Sequence, residues 1–495
     1  MKILFLKSKI FDIRIFGWIS FFSLLFQIVN GLWPQVSMLI FDGRLLFPNI
    51  VFKVIFTLSF IFIFLIKNKI IENKYLIVFY FSLISYLFLE FIYFVFVLNM
   101  DWKYILWGYN VNFFWFLFIP FLPSLSNIIN INYAKRIIFV IFIVSLIFGM
   151  LQLIFNSSIL PIKDKDNLWE VLCVEFQGNI RIFSFFSYTF DFNFFVLFIS
   201  YFIIFIIMEK ENYSFFKKMF VFIFFNFIVI IIVYYSYLRN AYLLFLSSFF
   251  SFFVYCVFRR KNMEINCLKH IIFFSGIYFL MGLFLVIVLY VINYKNFNSI
   301  LIQNYEKKVI SIKECIREKR EFRNMKLITF NYPSVKHLKN VNILNNQINQ
   351  TENKKVKFQG YDTQANIKDY NSFLMRIIQW KHYISLLGYS WLDYFFGIGI
   401  WGPHRSTLNE YVTDNLYVNL FIHIGLLGFL IVLSFIVLIY YIIAKLNFSP
   451  YIIPLFILFP TFFLVSFFDE QFIPLYLSYF ILSAFFLSED DWKKL

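Results

Sequence analysis

The feature that most constrains this chain is a series of apolar runs, each about twenty residues long and nearly free of charge. A hydrocarbon core about 30 Å thick is crossed by about 20 helical residues rising 1.5 Å each. About 12 such runs are present, at roughly 15–33, 46–66, 75–98, 104–124, 137–156, 182–208, 219–236, 240–258, 270–293, 414–443, 449–468 and 471–488. They are continuous rather than alternating, which excludes the strands of a membrane β-barrel. Composition agrees: 61% of residues are apolar and 15% charged, with a mean hydropathy of +0.75. A soluble domain is about half apolar and about a quarter charged. A soluble enzyme, a disordered chain and a disulfide scaffold are excluded, leaving an all-α, polytopic membrane protein. The first run has no small-residue cleavage site after it and reads as an uncleaved helix.

Orientation follows from Lys and Arg in the short loops. With the N-terminus inside, alongside Lys2, Lys7, Lys9 and Arg14, the inner loops hold Lys67, Lys69, Lys74, Lys135, Arg136, Lys210, Lys217, Lys218, Arg259, Arg260, Lys261, Lys269 and Lys445. The outer short loops hold only Arg44, Lys103, Lys163, Lys165, Arg181 and Arg239. The alternation predicts both termini on the cytoplasmic side, with Lys493 and Lys494 at the end. Four cysteines rule out a Cys-rich metal site. Cys256 falls in a span and Cys267 in an inner loop. Cys173 and Cys315 both fall outside, where a disulfide between them and two free thiols are the alternatives.

Three regions result: spans in 1–293, a polar outer loop at 294–413, and the last three spans in 414–495. Between Lys295 and Arg376 there are 16 basic and 7 acidic residues, a surplus of nine within a total charge of +16. Long loops translocate whatever their charge, so this surplus does not contradict the orientation. The segment is either a solvated spacer or a basic cap over a site that handles anions. No fixed-period repeat and no inverted pair of Gly- or Pro-broken helices is present, which weakens a transporter reading.

Ionisable groups at membrane depth are costly and usually functional. Four places stand out, all on the outer side. Arg181 opens the run that leads to Asp191, about three turns deep, and Asn193. Arg239 sits in a short turn between two spans, in Tyr237–Leu238–Arg239–Asn240. Arg376 lies in a segment near 373–391 whose Phe373, Ile377, Trp380, Ile384 and Leu387 share one helical face, predicting an amphipathic helix on the membrane surface. The fourth runs from Gly397–Ile398–Gly399 through His404, Arg405 and Glu410 to Asp414–Asn415–Leu416–Tyr417, then Gly425–Leu426–Leu427–Gly428. Its glycines permit a tight turn back into the membrane. Asp414 is a candidate catalytic group, with helix N-capping as the alternative role. Guanidinium forks from several segments suit an anionic, bidentate ligand such as a pyrophosphate. With no His/Cys cluster, no metal or other cofactor is expected.

The order Arg376…Trp380…Gly397–Ile398–Gly399…Asp414–Asn415–Leu416–Tyr417…Gly425–Leu426–Leu427–Gly428 resembles the C-terminal signature of bacterial O-antigen polymerases (Wzy-type) and O-antigen ligases. Ser236–Tyr237–Leu238–Arg239–Asn240–Ala241 is similar to the family's Ser-Arg-Gly-Ala turn, with Asn for Gly and a spacer before Arg. Arg181 through Asn193 resembles its Arg-plus-Pro-Asn region but lacks the Pro. The resemblance covers about 176–430 and implies a GT-C-like glycosyltransferase of the bacterial inner membrane. It implies undecaprenyl-pyrophosphate-linked glycans as substrates, metal-independent transfer at the periplasmic face, membrane lipid as surroundings, a chain-length regulator as a candidate partner, and no nucleic acid. Arg181, Arg239, Arg376 and Arg405, with Asn415 and Tyr417, would bind the pyrophosphate. Asp414, Arg376 and His404 would carry the chemistry. Ligases usually carry His at the place of Asp414; His404 and His337 lie in the outer loop as substitutes. Asp-Asn is more typical of polymerases, so polymerase is the expectation, with ligase and lipid-linked glycan flippase as alternatives. A flippase would want cations along the whole depth of a central cavity, and the inner halves of the spans lack them.

Overall fold

The structure, a computed structural model, describes residues 13–29, 48–97, 102–155, 175–176, 179–180, 184, 186, 189–208, 213–236, 244–248, 251, 391–397, 416–446, 449–465, 472–493 and 495. Among the described residues, six helices are long and apolar enough to cross a membrane, and shorter apolar helices accompany them. The chain is therefore built as a polytopic, helical, membrane-embedded protein. It divides into two compact units, one of 1–77, 114–325 and 436–495, the other of 78–113 and 326–435.

The first unit begins with α1 (Ile13–Ile28) and α2 (Pro48–Lys67). They pack side by side. Small residues make this close: Ser20 and Ser59 share a 2.6 Å hydrogen bond across the pair, and a Cβ on Gly17 would run into Ile128 and Ile129. Between apolar helices, which gain nothing by hiding from water, small residues and shared hydroxyls are what favour contact. On α2, Phe56, Phe60 and Ile63 point inward while Val51, Val54, Leu58, Ile61 and Leu65 are exposed. That outer stripe is apolar, as a lipid-facing surface must be.

Next come α3 (Lys74–Ile92), which continues as a π-helical turn at Tyr93–Val97, then α4 (Trp102–Asn112), a 3₁₀ segment at Phe114–Leu125, and α5 (Ile131–Phe155). Asparagines set two of these starts. Asn73 Oδ1 accepts from the N–H of Tyr75 and Leu76, and Asn130 Oδ1 from those of Asn132 and Tyr133, satisfying first-turn donors that have no helical partner. The run at 104–124, expected as one span, is two pieces. Pro120 and Pro123 lie in its second half. Proline lacks the N–H that a continuous α-helix needs, so this half cannot run as a regular α-helix.

A two-residue antiparallel pair, β1 (Glu175–Phe176) and β2 (Asn179–Ile180), is the one strand pairing among the described residues. Then follow α6 (Thr189–Met208) and α7 (Phe215–Ser236). The expected span 182–208 starts late, at Thr189, so Asp191 stands in its first turn, not three turns deep. The cause lies upstream. Ser184 has φ 52°, its N–H donates to Gln152 Oε1 at 2.8 Å, and its Oγ donates to the Ser145 carbonyl at 2.7 Å. Those bonds to α5 take the place of a helical first turn. α6 is apolar all round and mostly buried, as such a helix should be. It packs against α5, α7 and α10 (Ile453–Val465).

The chain ends with α11 (Phe472–Ala484) and the single turn α12 (Glu489–Trp492). Ser488 and Asp491 form a reciprocal capping box on that turn. Three segments that the charge pattern puts on one side meet here. Glu489 pairs with Lys69 and, at 3.6 Å, with Lys67. Lys67 Nζ also donates to the Ser126 carbonyl. The Trp492 indole N–H donates to Ser126 Oγ at 2.7 Å, and Ser124 Oγ donates to the Lys69 carbonyl at 2.8 Å. The expected span at 270–293 and all four cysteines lie outside the described residues, as does the loop at 294–413 apart from 391–397.

Candidate functional site

The second unit gathers α3 from Val78 onward, α4, a short helix α8 (Trp391–Phe396), and α9 (Leu416–Lys445) up to Phe435. Its first notable feature is a break. α9 loses helical geometry at Gly425, where φ is 64° and ψ −175°, a backbone state that side chains forbid. Gly397, just past α8, also has positive φ, 74°. A Cβ on Gly425 would lie 2.6 Å from the Gly397 nitrogen, and one on Gly397 would lie 2.6 Å from the Gly425 nitrogen. The two backbones touch with no side chain between them. The glycines expected to make a tight turn thus do two jobs: each takes a glycine conformation, and each makes room for the other.

The break frees helical carbonyls, and in a membrane an unsatisfied carbonyl is expensive. Tyr86 of α3 answers one of them, its O–H donating to the Ile424 carbonyl. Gly428 lets the ring in, since a Cβ there would sit 2.6 Å from the Tyr86 ring and hydroxyl. Phe396 stacks on Tyr86 at 6.2 Å and on Tyr93 at 5.0 Å. Tyr93, Phe94 and Ile105 make a small core with Leu392 and Phe396 against it.

One turn beyond Tyr86, on the same face of α3, is Glu90. It is 0% exposed. Tyr109 Oη of α4 lies 3.0 Å from Glu90 Oε2 and 3.0 Å from the Leu87 carbonyl. Glu90 Oε1 has no hydrogen-bond partner among the described residues, and no cation pairs with the carboxyl among them. A π-helical turn begins three residues on, at Tyr93; such turns often mark functional positions. The cluster can hold a proton or accept a hydrogen bond. It holds no metal-type set: no group of three His, Cys, Asp or Glu side chains converges among the described residues.

Sequence reasoning passed over Glu90, although the signal was present. It is the one charged residue in the apolar run 75–98, and a carboxyl at that depth is a site by default. Of the expected site residues, Tyr417 is half-buried in the first turn of α9. Arg181, Arg239, Arg376, His404, Arg405, Asp414 and Asn415 lie outside the described residues, as does the amphipathic segment 373–391 apart from Trp391. In the first unit, Asp191 and Asn193 at the start of α6 are buried.

Comparison of the chain with protein-family models, with characterised proteins and with solved structures finds no match.

Proposed function

We propose that this chain is a GT-C-like glycosyltransferase of about twelve spans that polymerises undecaprenyl-pyrophosphate-linked oligosaccharide units at the outer face of a bacterial inner membrane. The observation that supports the reading is the order Arg376, Gly397–Gly399, Asp414–Asn415, Gly425–Gly428, together with the use made of its glycines. Gly397 and Gly425 pack backbone on backbone, and Gly428 seats Tyr86. A fixed frame of this kind flanks the 398–415 segment, which carries His404, Arg405, Asp414 and Asn415.

In this reading Arg181, Arg239, Arg376 and Arg405 grip the donor pyrophosphate, with Asn415 and Tyr417 adding polar contacts. Planar, permanently charged forks suit that ligand and offset the charge that grows as it leaves. Asp414 accepts the proton of the acceptor hydroxyl, and His404 is the second candidate for that role. The sugar carbon passes through an oxocarbenium-like state.

Deleting the gene and resolving the surface glycan on a gel tests the activity. Loss of a polymerase leaves lipid A–core carrying single repeat units. Polymer left on the lipid carrier with bare core would identify a ligase, and bare core with units trapped inside would identify a flippase. Arg376→Ala at wild-type expression should reproduce the deletion pattern. A normal polymer ladder from that variant removes Arg376 from the site.

A further inference from the structure

We infer that Glu90 is a proton-binding site inside the membrane span, with the proton shared between Glu90 Oε2 and Tyr109 Oη. The inference does not depend on the glycosyltransferase reading.

Counting donors leads to it. Tyr109 Oη is 3.0 Å from two acceptors, the Leu87 carbonyl and Glu90 Oε2, and it has one proton. A carbonyl can only accept. If Tyr109 donates to Leu87, the short contact with Glu90 Oε2 needs a second proton, and only the carboxyl can bring it. The carboxylic acid then donates to Tyr109, Tyr109 donates to Leu87, and every O–H is satisfied. The ionised alternative leaves a charge that is 0% exposed, with a single hydrogen bond and no cation beside it among the described residues. Burying a charge on those terms costs far more than leaving one neutral acceptor, Oε1, without a donor.

The titratable groups on the packed elements are Lys74, Tyr75, Tyr80, Tyr86 and Tyr93 on α3, Lys103, Tyr104 and Tyr109 on α4, Asp393 and Tyr394 on α8, and Tyr417 and His423 on α9 before its break. Tyr86 is already committed to the Ile424 carbonyl. Losing the proton would therefore turn the Tyr109 hydroxyl from Leu87 toward Glu90, one helical turn from the tyrosine that caps the broken helix. A half-helix end beside a buried carboxyl is an arrangement that membrane proteins use to hold small cations, protons included.

Infrared spectroscopy of the full chain in lipid nanodiscs tests this. At neutral pH the wild-type protein should show a carbonyl stretch of a protonated carboxylic acid above the amide band, and it should move when glutamate carboxyls carry carbon-13. Glu90→Gln should abolish that band. Tyr109→Phe, which removes the acceptor of the carboxyl proton, should shift it to higher wavenumber without abolishing it. This arm and the labelled wild type decide the matter if Glu90→Gln does not fold. A wild type with no such band, a band that survives Glu90→Gln, or one indifferent to Tyr109→Phe would overturn the inference. So would a band present in choline buffer and lost in sodium, which would make the site one for a metal cation.

Discussion

Glu90 and Glu489 are the same side chain under opposite conditions. Glu489, in the first unit, is 35% exposed and has Lys69 and Lys67 for partners. Hydrogen bonding from Lys69, then the charges of Lys69 and Lys67, hold its carboxyl below the ordinary glutamate value of 4.5. Glu90, in the second unit, is 0% exposed and, among the described residues, meets a tyrosine hydroxyl and no cation. Where water reaches, charge is cheap to keep and adds little when paired. Where it does not, each polar group must find its partner in the fold, and breaking that pairing costs more. The two regions should therefore respond very differently to substitution.

The largest effect is expected at the α9 break. Gly425→Ala forces a side chain into a backbone state reserved for glycine and into the path of residues 395–397. Strain and overpacking together should cost about 3 kcal/mol or more, read as a lowered Tm of the detergent-solubilised chain. A variant that melts with the wild type would mean that the glycine contact is not a fixed part of the second unit. A middle effect belongs to Tyr86→Phe, which keeps the ring on Gly428 but leaves the Ile424 carbonyl without its donor. The expected cost is about 1–2 kcal/mol, with faster hydrogen exchange near 424–430. Unchanged exchange there would put the second unit on the same footing as the first.

The smallest effect is expected from Glu489→Gln. Its partly exposed ion pairs should contribute no more than about 1 kcal/mol, less as salt is raised. A carboxyl whose folded value is depressed stabilises fully above its unfolded value and loses that contribution as pH falls through the folded one. The Tm gap between wild type and variant should therefore be complete at about pH 6 and close toward about pH 3. A gap that persists in strong acid, or grows with salt, would show that Glu489 acts through something other than charge.

Much of the fold was legible because it repeats one physical demand. Every span must be apolar for about twenty residues, whatever it touches. The starts at Pro48, Lys74 and Leu416 follow within a few residues of the runs that announce them. The failures fall where local detail overrides the average. One run breaks at Phe113 and holds Pro120 and Pro123 in its second half, and the tie from Ser184 to Gln152 delays α6. Of the candidate site, the glycines at 397, 425 and 428 were readable as special positions, because few residues besides glycine have a reason to recur there. Their pairing with Tyr86 and with each other was not, since those contacts join residues far apart in the chain.

The sequence alone determined that this chain is a helical, membrane-embedded protein, because transfer into hydrocarbon is a sum over local side chains. Tertiary structure alone decided that Glu489 meets two lysines and that Glu90, among the described residues, meets Tyr109 and no cation. Burial and hydrogen-bond partners belong to the assembled unit, and they, rather than the identity of the residue, set whether a carboxyl keeps its charge.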